Sequence, residues 1–525
     1  MPKRTFKNMK TAGFILIAAA FFLTACRRPP KTDLRKLVPR ETLVYLESND
    51  VAATLEALSA NPAFQTLAEN RVDYSALKNI QAALAVTGFE TSEENAALHL
   101  KPRFVAVAET HAWRWQAVSI VENQLDSFVK KNYGATAKLE KIERDGGEFF
   151  TWTAADQRRV FAFAQNSLIY FGSDAAAIEK CLAVKKGAAE GLARNDFFNR
   201  AEAENNLAFG YVSSDGIKQI AALAGISVAV NSSEEPDERD FIARIVPEIL
   251  QHTTEEIVWT ANRTTRGIED KYSVNLTPET AFAIKEIFDS NAAAPVNFIN
   301  FLPPDVFSAT RYNLKNPLIS WRRSNLLTAK NADVLSGKLL LEFSGKLLEP
   351  YGILDAETFL SAVDSPLVTA QFDAENTKSV TIAAVKETDK LKNSISKEIN
   401  FKKPPEKLSN AEIWFSDDKN LAAAFIENKL VLGDGESVLK CLRTGQNTVK
   451  NPAFQRFAES RSVAATFGTD AEAAGKIVKV PAQVKDDHRK SATFYTTETR
   501  LTENGFERVT VSDFGLIGAI LGKLN

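Results

Sequence analysis

Three cysteines and four histidines are the residues best suited to nucleophilic, redox or metal chemistry, and their spacing argues against most of it. Cys181 and Cys441 each stand between a lysine and a leucine, in Glu179-Lys180-Cys181-Leu182 and Leu439-Lys440-Cys441-Leu442. A reactive thiol needs a nearby cation or a helix N-terminus to favour the thiolate. These two fall about two turns into expected helices, at 3.6 residues per turn, where a small buried core residue belongs. An oxidising compartment would also permit a disulfide between Cys181 and Cys441. His99, His111, His252 and His488 show no pair at ligand-like spacing, so neither a metal nor a cofactor is expected. Asp486-Asp487-His488-Arg489 combines acid and base groups, but general acid–base work needs an enclosed pocket that shifts their pKa values. Its polar, lysine-rich surroundings read as a solvated loop. Gly433-Asp434-Gly435-Glu436 is too short to cradle phosphates and reads as a strand-to-helix turn. The chain carries no Gly-x-Ser-x-Gly elbow, Walker A loop, His-Glu-x-x-His helix or EF-hand loop. No catalytic residue is therefore assigned.

Cys26 stands apart. Lys3, Arg4, Lys7 and Lys10 precede an apolar run from Ala12 to Leu23, which closes on Leu23-Thr24-Ala25-Cys26. About twelve apolar residues suit a signal peptide, whereas a spanning helix needs about 20. This layout resembles the lipobox of bacterial lipoprotein signal peptides. The resemblance implies cleavage between Ala25 and Cys26, acylation of Cys26, and attachment to an envelope membrane through acyl chains; two or more chains anchor stably. Arg27 occupies the position where an Asp commonly retains such proteins at the inner membrane, so the outer membrane, facing the periplasm, is the expected site in a Gram-negative cell. Arg27-Arg28-Pro29-Pro30-Lys31 reads as a stiff spacer.

The chain has 525 residues, 45% hydrophobic and 25% charged, a globular composition. Its net charge is −2, and loss of the signal's four positive side chains leaves the mature chain near −6, against general nucleic-acid binding. Phe is abundant at 34, while both Met residues lie in the signal. The apolar tail Phe514 to Leu521 is too short to span a membrane and is expected to pack on a domain.

The elements that would position any site recur along the chain at a separation shrinking from about 264 to about 238 residues. Leu37-Val38-Pro39-Arg40-Glu41 answers Phe301-Leu302-Pro303-Pro304-Asp305. Trp152, Asp156, Phe163, Asn166 and Leu168 answer Trp414, Asp418, Phe425, Asn428 and Leu430, and Gly267-Ile268-Glu269 answers Gly505-Phe506-Glu507. The expectation is an α+β fold of two tandem duplicated domains, 37–290 and 298–525, with mainly antiparallel sheets covered by helices. The signal (1–25) and a linker (26–36) precede them. Strands are expected at Phe104–Ala108, Gln116–Val121, Glu148–Thr153, Val160–Ala164 and Leu207–Val212 from period-2 alternation. Asp50, Asp174 and Asp434 are expected to cap helices. Trp113 and Trp115 would share one face of a strand, and with Trp321 they are candidates for a binding surface. Trp152 and Trp414 are expected to anchor the sheet cores. Ser232-Ser233-Glu234-Glu235-Pro236-Asp237-Glu238 and the Asp486–Arg489 stretch read as exposed tips.

The opening Leu37 to Leu46, its capped helix and the following Asn61-Pro62-Ala63-Phe64 resemble a widespread bacterial envelope domain of unknown function. Members of that family start near Leu-Pro-x-Asp-Thr-x-x-Tyr-Leu; here Arg40-Glu41 replaces the usual acidic pair. The resemblance supplies neither a reaction nor a binding site. Together these features point to a lipid-anchored cell-envelope protein acting as a non-enzymatic scaffold or protein-binding module, with an envelope protein as partner. A carrier or chaperone for lipid or other apolar ligands is the alternative, and a hydrolase with a dispersed active site is a third.

Overall fold

The computed structural model describes residues 31–59, 74–94, 97–194, 206–232, 236–265, 267–288, 298, 300–303, 306–332, 334–373, 377–444, 452–469 and 494–524. Among these residues twenty strands form one sheet. They are β1 Val44–Ser48, β2 Gln81–Glu94, β3 Ala97–Glu109, β4 Lys138–Arg144, β5 Gly147–Thr153, β6 Arg159–Gln165, β7 Leu168–Gly172, β8 Ala208–Val212, β9 Thr254–Thr264 and β10 Gly267–Leu276, then β11 Ser308–Tyr312, β12 Val363–Gln371, β13 Ser379–Val385, β14 Glu406–Leu408, β15 Ala411–Phe415, β16 Leu421–Ile426, β17 Lys429–Asp434, β18 Ala464–Thr469, β19 Phe494–Leu501 and β20 Gly505–Ser512. The helices are α1 Val51–Ser59, α2 Arg114–Ile120, α3 Asp126–Tyr133, α4 Ala175–Lys185, α5 Ser214–Ser232, α6 Pro236–Thr253, α7 Pro278–Ile287, α8 Pro317–Lys330, α9 Val334–Ser344, α10 Ala356–Ala362, α11 Thr388–Ser394, α12 Gly435–Thr444, α13 Pro452–Glu459 and α14 Gly515–Leu524.

Every pairing is antiparallel. From one edge the order is β4-β5-β6-β7-β3-β2-β1-β8-β9-β10. It continues β20-β19-β18-β11-β12-β13-β17-β16-β15-β14. This overturns the expected two tandem domains, each with its own sheets. The joining pair is β10 with β20, in register from Ile268 opposite Ser512 to Asn275 opposite Gly505. Two separate domains would each leave that edge's N–H and C=O groups unpaired, and pairing them removes the liability. Helix α14 strengthens the join. Phe514 is buried in one cluster with Trp259 and Ile268, and the Leu516 N–H donates to Asp270 at 2.8 Å. Asp270, 2% exposed, also accepts from Trp259 Nε1 at 2.8 Å, and its burial raises the carboxyl pKa. The apolar tail does pack on the folded body, and it does so on residues from the other half of the chain.

Alternation along the strands builds a core on each face. In the first ten strands, Phe149, Phe163 and Tyr170 point toward α4 with its Ile178, Cys181 and Leu182. Phe150, Trp152, Ala162 and Ile169 point the other way, onto Ala117, Val118, Val121 and Val129. The last ten strands repeat the division. Ile413, Ala422, Ala424 and Val431 pack with Val438, Cys441 and Leu442 of α12. Trp414, Ala423, Leu430 and Leu432 pack with Ile353, Phe359, Leu360 and Leu391.

Gln116–Val121 is helical and not the expected strand. Ala117, Val121, Leu125 and Val129 recur every four residues, and that period puts one face of a helix on the sheet. The Gln116 side-chain oxygen accepts from the Trp113 N–H at 2.9 Å, which fixes the start. The other expected strands form. Asp50, Asp174 and Asp434 accept from first-turn amides of α1, α4 and α12.

Candidate functional site

The second half carries a cavity of about 360 Å³ between the sheet and the helices that connect β11 to β12. Its floor is Tyr312 on β11, Leu367 and Thr369 on β12, and Thr381 on β13. Pro317, Ser320, Trp321 and Ser324 of α8 form one wall. Leu348, Tyr351 and Ile353 form another, with Phe359 and Leu360 of α10, while Ile287 and Phe288 close the end of α7. Ligand pockets commonly measure about 300–1,000 Å³ and are apolar with a few placed polar groups. Among the described residues the lining contains no Asp, Glu, Lys, Arg or His.

Local sequence explains why these walls stand where they do. Asn316 accepts from the Ile319 N–H at 3.1 Å, and Pro317 occupies the first helical position, so α8 starts sharply. Ser320 Oγ donates to the Ile287 carbonyl at 2.7 Å, pinning α8 to the end of α7. Asp355 caps α10 by accepting from the Thr358 N–H at 3.0 Å. Two ion pairs clamp the rim. Arg322 binds Glu357 through two contacts of 2.9 and 2.7 Å, joining α8 to α10. Arg323 binds Glu286 at 2.6 Å, joining α8 to α7. The guanidinium hydrogen bond holds each carboxylate below its usual pKa. Inside, burial raises the Tyr351 phenol above its ordinary value, the Tyr312 phenol nearby adds to this, and a hydrogen bond with Thr369 opposes it. Neutral hydroxyls and rings thus face an apolar space. That surface can solvate a hydrocarbon or aromatic group and offer it one or two hydrogen bonds; among the described residues it holds no group that would activate water or a nucleophile.

Of the residues singled out in the sequence that the structure describes, only Trp321 reaches this cavity. Ala25 and Cys26 lie outside the described residues, as do His488 and the Asp486–Arg489 stretch. Cys181 and Cys441 are free and buried in different apolar clusters, one under α4 and one under α12, and burial pushes each thiol up to about 12. Ser233 to Glu235 fall outside the described residues, between α5 and α6. His111 lies beside Glu109, Nδ1 to Oε1 at 3.8 Å, and His252 Nδ1 lies 3.1 Å from the Asn331 carbonyl. His99 is on β3. Gly433 to Glu436 form the strand-to-helix turn: a Cβ at Gly433 would lie 2.1 Å from the Ser379 carbonyl, and Glu436 pairs with Lys378. Trp152 and Trp414 are buried in the cores. Trp113 and Trp115, expected on a strand, stand 75% and 69% exposed at the start of α2.

Among the described residues no group of three or more His, Cys, Asp or Glu could hold a metal, and no helix is long and apolar enough to cross a membrane. Sequence reading missed Tyr312, Tyr351, Leu348, Phe359 and Leu367. Each looks like an ordinary core residue, and only the gap between them marks the site. No protein-family model, curated protein or solved structure matches this chain.

Proposed function

We propose that this is a lipid-anchored cell-envelope protein, non-enzymatic, whose folded body binds an apolar ligand such as a single acyl chain. The cavity beneath α8 carries the reading: it has the volume and lining of a ligand site, and the described residues of its walls include no charged side chain. The lipobox-like Leu23 to Cys26 supplies the anchor and an environment rich in acyl chains. The test is native mass spectrometry of the full-length protein, released gently from membranes. The wild type should carry a lipid-sized adduct. Ser324→Trp, which places a ring at an exposed position on the cavity mouth, should carry none while melting as the wild type does. A wild type that is ligand-free after membrane extraction would refute the proposal.

A protein-binding scaffold is the second reading. It draws on Ile319 and Leu326, seven residues apart on one side of α8 and 49% and 61% exposed. In that case cross-linking in intact membranes recovers a stoichiometric protein, and Leu326→Glu abolishes the capture.

A further inference from the structure

We infer that Trp113 and Trp115 form a contact by which the folded body rests on the same bilayer that holds its acyl anchor; this builds on the reading of Cys26 as the lipidated residue. The two rings are the most exposed large apolar side chains at the start of α2, at 75% and 69%. Their backbone is fixed, because Trp113 donates to the Gln116 side chain and Ala117 and Val118 of the next turn are buried against the sheet. The rings are therefore presented outward by a rigid element. The charge between them is already satisfied, since Arg114 pairs with Glu143 at 3.0 Å and reaches Glu148 at 3.7 Å.

The tether decides the occupant. Thr32 is held at the same end of the molecule: its N–H donates to Gln81 Oε1 at 2.8 Å, and its hydroxyl reaches Glu109 Oε2 at 3.5 Å. The other oxygen of that carboxylate accepts from the His111 N–H at 2.8 Å. One buried Glu109 thus joins the root of the tether to the residue two positions before Trp113, and two peptide steps span at most about 7.6 Å. Six peptide steps lead from Thr32 back to Cys26, a reach of at most about 22 Å even fully extended. Acyl chains on Cys26 therefore keep this end of the body beside the headgroups, where Trp places its apolar ring and its N–H most favourably. Arg27, Arg28 and Lys31 add attraction to anionic lipid.

The experiment reconstitutes full-length acylated protein in phosphatidylethanolamine/phosphatidylglycerol vesicles, with or without brominated acyl chains, and reads tryptophan emission in the floated fraction. With six tryptophans in the chain, the wild type should lose about a third of its emission to brominated chains, the share of two indoles at the interface. Trp113→Ala/Trp115→Ala should float equally, melt unchanged and lose correspondingly less. Equal quenching of floated wild type and double variant overturns the contact and leaves the anchor standing. Cys26→Ser tests the anchor separately. If it stops floating, the anchor holds; if it floats with quenching intact, the contact stands without it. A wild type that neither floats nor is quenched overturns both.

Discussion

The sheet faces around Trp152 and Trp414 follow the same strand order and are covered differently. Trp152 stacks on Phe150 at 6.2 Å and meets Phe171 edge-on at 6.4 Å, and its Nε1 donates to Asp126 at 3.0 Å. Asp126 opens α3, and the helical run from Arg114 to Tyr133 lies across that face. At Trp414 the corresponding connection supplies only α11, Thr388–Ser394, and Nε1 donates to the Lys403 carbonyl at 3.0 Å. Phe401 and Phe425 flank this ring, and the Lys392 ammonium sits 4.6 Å from its centroid. The remaining cover comes from the β11–β12 connection, whose helices stand off the floor and leave the cavity. Similar sheets therefore yield a closed core or a pocket according to which connection supplies the lid.

The largest test of this contrast removes the two rings. Trp152→Ala should destabilise by about 3–5 kcal/mol, because a close-packed face cannot collapse around the void. Trp414→Ala should cost less, about 3 kcal/mol, since Phe401 and Lys392, both partly exposed, can move into the space. Thermal melts of the two variants give the order; equal losses would break the comparison.

A second contrast lies on the matched strands β1 and β11. Their fourth residues are Glu47, 8% exposed, and Arg311, 0% exposed. Arg311 donates to the carbonyls of Ala458, at 3.1 Å, and Ser460, at the C-terminal end of α13, where the helix dipole favours a cation. Arg311→Ala should cost about 3 kcal/mol by leaving those carbonyls unpaired in a cavity. Arg311→Met, which keeps the packing and removes a buried charge, should cost less. A methionine variant less stable than the alanine one would sink that view.

The smallest effect concerns Glu47, whose Oε2 accepts from the Tyr45 hydroxyl at 2.5 Å. Burial is the main cause raising its pKa. A carboxyl raised in the folded state binds its proton more tightly there than in the unfolded chain, so stability declines as pH rises from the ordinary carboxylate range through the raised value. Glu47→Gln should flatten the pH dependence of the melting temperature across that window. An unchanged slope would assign the dependence to other groups.

Much of the fold was legible because it is written locally. Phe149-Phe150-Thr151-Trp152 shows its two faces by alternation, and Asp50, Asp174 and Asp434 announce helices through their capping chemistry. Gln116-Ala117-Val118-Ser119-Ile120-Val121 misled because its β-branched residues fit a strand equally well, and the deciding partners, Leu125 and Val129, lie beyond the window. The single sheet was not legible. Its join pairs Tyr272 with Arg508 across two strands that each look like an ordinary hairpin member. Nor was the cavity, since Tyr312, Tyr351 and Leu367 say only that they are buried and not what they fail to touch.

The most direct measurement is photo-cross-linking of the membrane-derived full-length protein with a diazirine fatty acid, followed by peptide mapping. Adducts are expected on 312–324, 348–360 and 367–381 and none on 117–171, with Ser324→Trp suppressing them. Adducts confined to the first-half face, or spread equally over both, would contradict the cavity as the ligand site.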